Sequence, residues 1–457
     1  MQAACYCSLL VELMPRSLNS VLVKSTVVAA LGGLLFGFDT AVISGTTAAL
    51  RNVFQLTPNL LGITVSSALW GTVAGSLLAS IPGERWGRRD SLRVLGVLYF
   101  LSAFGCALAW NWPALLIFRI IGGLGIGGSS VLAPLYIAEI APAKLRGRLV
   151  GLFQFNVVLG ILVAYLSNYL LGWLHLGQAE WRWDLGVAAI PAALFFIFLA
   201  GIPRSPRWLA KGQRLAEARA VLVQIGEPDP DAELADIVGS IDAEHGHANE
   251  PLVSRKYALP IFLAVATGLF NQLSGINAIL YYLNDIFERA GFSKVSGDLQ
   301  AVAVGATNLL FTMFAMSVID RFGRKFLLLV GSVGTSLSLA GVAAIFFRRQ
   351  HEELLVWLLI SFIAFFAFSQ GAVIWVYIGE VFPNRVRAKG QSLGSFSHWF
   401  ANAIVSWRYP LMAAFSGGWP FAFFSAMMAL QFFVVLLLYP ETRGVTLEEM
   451  QRRLKIP

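Results

Sequence analysis

Two charged residues lie inside long apolar stretches of this chain, where a charge is costly. Asp39 falls in the stretch 22 to 48, and Arg119 falls in the stretch 113 to 137. A carboxylate in a membrane-spanning helix costs about 2.5 to 3.5 kcal/mol, so it is seldom present without a task. Beside a guanidinium it stays ionised, whereas unpaired in dry surroundings it takes up a proton. The pair therefore predicts reversible proton binding; the alternative is a static ion pair that fixes helix packing.

The two residues are expected to meet, because their positions predict the same depth. Asp39 follows Lys24, at one boundary of its stretch, by 15 residues, which is about 22 Å along a helix. In a hydrocarbon core of about 30 Å, Asp39 therefore lies nearer the other boundary. Arg119 is six residues from Pro113, at that other boundary, a distance of about 9 Å. The sequence thus predicts a contact between Asp39 and Arg119.

Hydropathy predicts the elements that position these residues. The chain has 457 residues, of which 57% are hydrophobic and only 13% charged, too little polar material to cover a soluble globule. About twelve apolar runs are long enough, as helices, to cross about 30 Å of hydrocarbon. They lie near 22 to 48, 60 to 82, 91 to 110, 113 to 137, 149 to 171, 184 to 202, 258 to 283, 299 to 318, 326 to 347, 354 to 379, 391 to 412 and 419 to 439. Their continuous apolar character predicts an all-α membrane protein and not a β-barrel.

Basic residues in the connections predict the orientation, because Lys and Arg are retained on the cytoplasmic side. Alternate connections are strongly basic and carry Arg85, Arg88, Arg89, Arg93, Lys144, Arg146, Arg148, Arg321, Arg324, Lys325, Arg385, Arg387 and Lys389. The opposite connections are sparse, with Arg51, Arg182, Arg289, Lys294, Arg348, Arg349 and Arg408. We expect a multi-pass protein of the cytoplasmic (plasma) membrane with both termini cytoplasmic. The net charge of +8 reflects this topology, and no basic domain favours nucleic acid.

The first apolar run is interpreted as a membrane helix. It is too long for a cleaved signal peptide, and Met1 and Met14 are both acceptable starts. Cys5, Cys7 and Cys106 are too few and too poorly placed for a disulfide framework or a metal site. We therefore expect neither a metal nor a cofactor.

The chain repeats itself at nearly one offset. The segment around Arg85 recurs around Arg321 after 236 residues. Two further pairs are Glu139–Arg146 with Glu380–Arg387, after 241 residues, and Gly37–Asp39 with Gly275–Asn277, after 238. Each match alone is weak, because basic turns and Glu-x-x-Pro patterns are common, but their shared spacing favours duplication.

The repeat predicts two pseudo-symmetric six-helix halves. We assign 1–203 to the first half, 204–256 to a small cytoplasmic helical linker, 257–440 to the second half and 441–457 to a cytoplasmic tail. Such halves bind substrate near the midplane and rock about it. Gly71 and Gly75, like Gly123 and Gly127, are spaced for close helix contacts.

An ordered set of motifs resembles the sugar porter family of the major facilitator superfamily, over nearly the whole chain from about Leu31 to Gly444. The motifs are Gly37–Thr40, Arg85–Arg89, Arg119–Gly123, Tyr136–Pro142, Pro203–Trp208, Gln272–Tyr282, Glu380–Arg387 and Pro440–Gly444. Within the family the chain looks closest to bacterial proton-linked pentose and hexose symporters and to facilitative glucose transporters. The resemblance implies the major facilitator fold and sugar transport, with Asp39 and Arg119 as the proton-coupling residues.

A sugar site needs amides, which donate to and accept from adjacent hydroxyls, and an aromatic face for the C–H surface of the ring. The resemblance and the residue types together indicate Gln154, Gln272, Asn277, Tyr281, Gly371, Trp375, His398, Trp399 and Asn402. Interhelical packing is the alternative for the amides, and lipid-interface anchoring is the alternative for the Trp residues. Asn271 stands where many members of the family have Gln, and His398 stands where Gln or Asn is usual. These two departures leave the identity of the sugar open.

The basic motifs resemble a cytoplasmic gate. The candidate gate residues are Arg85, Arg88, Glu139, Arg146, Arg321, Arg324, Glu380 and Arg387. Ion pairs between the halves would stabilise the state in which the inner side is shut. Charge that only sets topology explains the arginines but not the paired glutamates. Arg204 departs from the family, which has Glu after the Pro, and so removes an acid from this network.

The function predicted is sugar:proton symport by alternating access, with a monosaccharide such as xylose, glucose or galactose, a proton and the lipid bilayer as partners. A passive facilitator with the same site is the first alternative. A membrane sugar sensor is a weaker one, because the tail after Glu441 is short. No nucleophile-base pair or phosphate loop indicates an enzyme.

Overall fold

The computed structural model describes residues 19–142, 145–247, 251–383, 385–445 and 447–454, and they are mainly helical. Met1, Met14, Cys5, Cys7 and Lys144 lie outside the described residues. The helices of the first part are α1 (Ser20–Val42), α2 (Thr47–Val53), α3 (Pro58–Leu78), α4 (Ser80–Arg85), α5 (Arg88–Ala107), α6 (Trp112–Ile140), α7 (Arg146–Gly172), α8 (Glu180–Gly186) and α9 (Ala189–Phe198). Three short helices follow: α10 (Pro206–Lys211), α11 (Leu215–Ile225) and α12 (Pro230–His247).

The second part repeats this arrangement. Its helices are α13 (Ala258–Leu273), α14 (Ile276–Tyr281), α15 (Leu283–Arg289), α16 (Lys294–Phe322), α17 (Arg324–Arg348), α18 (Leu355–Phe368), α19 (Gln370–Glu380), α20 (Arg387–Phe415) and α21 (Trp419–Leu438), followed by α22 (Leu447–Arg453). Helices α10 to α12 pack against the start of α1 and the end of α6. We call this end of the bundle the linker side and the other end the far side.

Eleven helical segments of the described residues are long and apolar enough to cross a membrane. The twelfth predicted run lies within α20, which has 29 residues but is less apolar, since it carries Ser397, His398, Asn402 and Ser406. All four of these side chains are buried, and α20 packs on α3 and α13. Its polar residues therefore face protein, where hydrogen bonds offset their burial.

Helix starts are set by local chemistry. Thr57 caps α3 by accepting from the amide of Leu60, and Pro58 occupies the first turn. Asn111 caps α6 in the same way, accepting from the amide of Ala114 at 2.9 Å. These caps satisfy amides that have no partner inside the helix, and Pro costs no hydrogen bond there.

Close backbone contact joins α3 to α6, as the glycine spacing predicts. A Cβ built on Gly123 would lie 1.9 Å from the carbonyl oxygen of Ala68, and one on Gly71 would lie 2.3 Å from that of Ile120. Gly127 is equally confined, with the carbonyl oxygen of Thr72 at 2.1 Å. Only glycine permits this approach, which positions Arg119 on α6 beside the other helices of the half.

We expect Gly123→Ala to destabilise the protein, because the neighbouring backbone must move to admit one methyl group. Overpacking of this kind costs about 1 to 3 kcal/mol. Thermal unfolding of the purified protein, followed by fluorescence-detected size exclusion, would show a lowered midpoint. Gly147→Ala is the matched control, since a Cβ there has no neighbour within 4 Å. Equal midpoints for the two variants would contradict the packing argument.

Candidate functional site

The structure brings Asp39 of α1 and Arg119 of α6 together. An Nη of Arg119 lies 3.9 Å from Oδ1 of Asp39, close enough for charge compensation but beyond hydrogen-bond distance. The Arg119 side chain is only 4% exposed, against 23% for Asp39. Among the described residues, Nε of Arg119 has no hydrogen-bond acceptor. The charges therefore stabilise each other without being locked in one geometry.

A second group of polar side chains lies where the seventh apolar run is broken. Gly275 has a φ of +81°, in the left-handed region, and separates α13 from α14. The break lets Asn277 turn back and donate to Oε1 of Gln272 at 3.1 Å. A regular helix would not bring these side chains together, because residues five apart point in different directions. Gly275 is therefore the local cause of this contact.

Gln272 is the centre of the buried polar group. Its Nε2 donates to Oδ1 of Asn271 at 3.0 Å and lies 3.3 Å from both ring nitrogens of His398. Asn271 in turn donates to the carbonyl oxygen of Gln370 at 3.4 Å. We call Asn271, Gln272, Asn277 and His398 the amide cluster. It presents donors and acceptors on adjacent atoms, as a polyhydroxylated ligand requires.

Aromatic rings flank the amide cluster and cross between the halves. The His398 ring lies 5.0 Å from that of Trp375 and 4.9 Å from that of Trp399. Phe36 of α1 contacts Trp399 of α20, with 5.4 Å between ring centroids. Phe36 and Asp39 are three residues apart on α1, hence on one face. We call Trp375 and Trp399 the aromatic wall. One face of α1 thus carries the acid of the ion pair and contacts the aromatic wall of the second half.

Tyr281 and Asn402 form a further contact. Nδ2 of Asn402 donates to the Tyr281 hydroxyl at 3.3 Å, and Ser406 donates to Oδ1 of Asn402 at 3.1 Å. Tyr281 also lies within electrostatic reach of Asp39 and Arg119. Tyr281 therefore stands between the ion pair and the polar residues of α20.

Two predicted residues stand apart from these contacts. Gln154 is half-buried on α7, and Gly371 packs beside the ring of Phe366. The sequence reasoning also missed two residues. Two sequence features could have pointed to them. Phe36 adjoins the Gly37–Thr40 motif, and Gln370 is a lone amide in an apolar run. Gln370 is 1% exposed, and its amide contacts the sulfur of Met428.

The predicted gate residues form the same contact in each half. Arg88 pairs with Glu139 at 3.0 Å, and Arg324 pairs with Glu380 at 2.9 Å. Both pairs join residues of one half, so pairing between halves stays a prediction for another state. Arg387 is half-buried and donates to the carbonyl oxygen of Phe382 at 3.5 Å. The remaining three, Arg85, Arg146 and Arg321, are exposed.

Comparison with known proteins decides the family. A family model of sugar (and other) transporters matches residues 25–454. The chain belongs to this family. A D-xylose-proton symporter of Escherichia coli is 36% identical over 473 residues, covering 95% of this chain and 96% of that one. An arabinose-proton symporter of Bacillus subtilis is 35% identical, covering 93% of each chain.

A solved structure matches this transporter along its length. It is the partially occluded inward-open conformation of a xylose transporter of E. coli, with a TM-score of 0.84 and 34% identity, covering 94% of this chain and 100% of that one. The comparison confirms the predicted sugar porter family and the all-α, twelve-helix membrane fold. It also confirms a multi-pass membrane protein.

On the far side of the transporter, contacts join the two halves. Arg51 of α2 pairs with Asp285 of α15 at 3.0 Å. Burial raises the pKa of the Asp285 carboxyl, and the neighbouring Arg51 and Arg289 oppose that rise, Arg51 most strongly. Asn59 accepts from the Trp407 ring at 3.0 Å, and Glu180 pairs with Lys294. The far side is therefore held shut.

We expect Arg51→Gln to favour opening of the far side, because the buried Asp285 then loses its charged partner. A partly exposed ion pair contributes about 0.4 to 1 kcal/mol, so the open population should rise about two- to fivefold. Double electron–electron resonance would measure the distance between the halves. The spin labels are placed at the exposed positions Val53 and Glu288 in a cysteine-free background.

Arg182→Gln is the control for this measurement. Arg182 lies on the same side but donates to the carbonyl oxygen of Ala107, within its own half, at 2.7 Å. An unchanged distance distribution in Arg51→Gln, or an equal change in the control, would show that the Arg51–Asp285 pair does not hold the far side shut.

Proposed function

We propose that this transporter is a sugar:proton symporter of the cytoplasmic membrane that works by alternating access. Its substrate is a monosaccharide such as xylose, glucose or galactose. The observation that carries the proposal is the Asp39–Arg119 pair, because Asp39 lies on the same helix as Phe36, whose ring contacts Trp399 beside the amide cluster. The names of the relatives, two of which are proton-linked pentose symporters, support the same reading.

The proton step follows from the geometry of the pair. Ionised Asp39 compensates the buried charge of Arg119, and protonation removes that compensation. Because the two side chains are 3.9 Å apart, no hydrogen bond between them has to break when they separate. A small movement of α1 therefore changes how favourable the ionised carboxylate is. Proton binding and the position of α1 are coupled in this way.

Sugar binding uses the second half. The amides of Gln272 and Asn277 and the ring of His398 supply donors and acceptors, and Trp375, with 38% of its surface exposed, supplies an aromatic face. Gln154 adds an amide from α7 of the first half. A sugar held by both halves shifts α1 relative to α20 at the Phe36–Trp399 contact. The sugar and the proton thus act on the same helix.

Alternating access is assigned to rocking of the halves 1–203 and 257–440 about this site, linked by 204–256. The far side is shut by contacts between halves, whereas the gate pairs of the linker side lie within halves. We assign the linker side to the cytoplasm because the basic connections lie there. In this state the site opens inward, and the tail 441–457 and the N-terminus are cytoplasmic.

We expect Asp39→Asn to abolish uphill sugar accumulation while sugar exchange survives, because an amide cannot take up and release the proton. Proteoliposomes with an imposed pH gradient would measure accumulation of radiolabelled xylose, and counterflow without a gradient would measure exchange. Asp231→Asn, on the exposed linker, is the control. Full accumulation by Asp39→Asn would refute proton coupling through Asp39.

The same assay distinguishes a passive facilitator from a proton symporter. A protonophore should collapse accumulation by the unmodified protein, whereas a facilitator never accumulates sugar above equilibrium and is unaffected.

We expect Gln272→Ala to weaken sugar binding about 5- to 150-fold, because it leaves sugar hydroxyls without their hydrogen-bond partner, at about 1 to 3 kcal/mol. The half-saturation constant in counterflow measures the effect. Gln431→Ala is the matched control, since Gln431 is a buried amide of α21 outside the amide cluster. Equal constants for both variants would remove Gln272 from the site.

A further inference from the structure

Two arginines of the first half and the first residue of the linker, Arg204, surround a single carboxylate at the linker side. Asp90, near the start of α5, is 2.9 Å from Arg89, 2.9 Å from Arg93 and 3.0 Å from Arg204. We call these four residues the arginine cluster. Three positive charges and one negative charge leave it with an excess of two. The transport mechanism uses none of them.

The guanidinium groups are held in place but are not saturated. Arg89 also donates to the carbonyl oxygen of Ile202 at 3.1 Å, and Arg93 donates to that of Leu199 at 3.3 Å. Each guanidinium has five N–H groups, and the contacts described use two or three of each. Arg93 is 29% exposed and Arg204 is 35% exposed. The cluster can therefore bind a further anion without rearranging.

The second half shows that the excess charge is not a requirement of the fold. At the repeat offset of 236, Arg89, Asp90 and Arg93 correspond to Lys325, Phe326 and Leu329. Arg204 corresponds to Glu441, because Pro203-Arg204-Ser205 matches Pro440-Glu441-Thr442. These positions of the second half carry one positive and one negative charge.

Glu441 shows what the equivalent residue does when it is acidic. Its carboxylate accepts from the backbone amides of Arg324 at 2.9 Å and Lys325 at 3.1 Å, at the start of α17. In the first half Arg204 instead turns to Asp90, and the ring of Trp208 lies against Gly87. The sequence difference thus converts a neutral helix start into a cationic surface.

The surface beside the arginine cluster is apolar and faces away from the protein. On α5, Val94, Val97 and Leu101 are exposed and share one face; on α9, Ile197 and Phe198 are exposed. Both helices belong to membrane spans that meet the linker side at this level, Arg88–Ala107 and Gly177–Gly201. An anion with long apolar chains fits this combination, because its charge meets the arginines while its chains follow these side chains.

We propose that the arginine cluster is a binding site for the phosphate of an anionic phospholipid. Guanidinium groups bind phosphate through paired N–H donors, and basic pockets at the cytoplasmic ends of membrane helices recognise lipid headgroups in this way. Arg93 and Arg204 provide the exposed donors, and Asp90 holds them side by side. Charge that only sets topology would require no such clustering on the first half.

The test is lipid binding by the purified full-length protein, measured by native mass spectrometry in detergent. Phosphatidylglycerol is compared with phosphatidylcholine, which has a phosphate but no net charge. We expect the unmodified protein to bind phosphatidylglycerol about 25-fold more tightly than phosphatidylcholine, since each of the two excess positive charges contributes about 1 kcal/mol of attraction, or about fivefold. Arg204→Glu should remove this preference, and Asp90→Asn should strengthen phosphatidylglycerol binding about fivefold.

Arg219→Glu is the matched control. It makes the same charge change on the exposed surface of α11, where Arg219 pairs with Asp231, and should leave the preference intact. Arg204→Glu introduces the residue that the second half already accommodates as Glu441. If Arg204→Glu nevertheless fails to fold, Arg204→Gln provides the test and should weaken phosphatidylglycerol binding about fivefold.

Two results would overturn the proposal. An unchanged lipid preference in the Arg204 variants, or the same loss in Arg219→Glu, would show that the arginine cluster is not the site. Displacement of phosphatidylglycerol by inorganic phosphate at about 10 mM would show that the site takes free phosphate rather than lipid. Retention of the lipid under that challenge, with loss in Arg204→Glu, supports the proposal.

Discussion

The structure depends on keeping two opposite charges within a low-dielectric interior. Neither Asp39 nor Arg119 is tolerated there alone, because an unpaired buried charge costs several kcal/mol. Together they compensate each other, but the pair is loosely held. The charged groups are 3.9 Å apart, and Nε of Arg119 has no hydrogen-bond partner among the described residues. A tight bidentate pair would be a better structural link but a poor proton carrier. The geometry observed suits a carboxyl group that must change its charge.

The surrounding helices hold this pair without enclosing it. Glycines at the α3–α6 contact let the backbones approach, and this packing supports Arg119. The break at Gly275 brings Gln272 and Asn277 together on the other side. Between them, Phe36 and Trp399 are in ring contact across the halves. Rigid packing within each half and a few contacts between halves are what a rocking mechanism requires.

The two halves share the same arrangement of helices but differ in their polar and charged side chains. Arg88 with Glu139 and Arg324 with Glu380 repeat the same ion pair at the linker side. In the proposed mechanism the first half holds the acid and base of the proton step, and the second half holds the amide cluster. Matched positions of the two repeats can nevertheless carry opposite charges, as Arg204 and Glu441 do. Because the two roles are divided between the halves, proton binding and sugar binding can be coupled only through the interface between the halves.

The sequence by itself determined the helices, the family and the meeting of Asp39 with Arg119. Hydropathy and helical rise are local properties, and both residues could be placed by counting from the ends of their own helices. The sequence also indicated most of the amide cluster, because Gln272 and Asn277 lie on a motif and His398 shares a helix with other polar residues. Only the tertiary structure decided that Phe36 contacts Trp399, that Gln370 joins the polar group, that the gate pairs lie within halves and that Arg51 meets Asp285. These contacts depend on how helices distant in sequence are placed relative to one another, which no local pattern encodes.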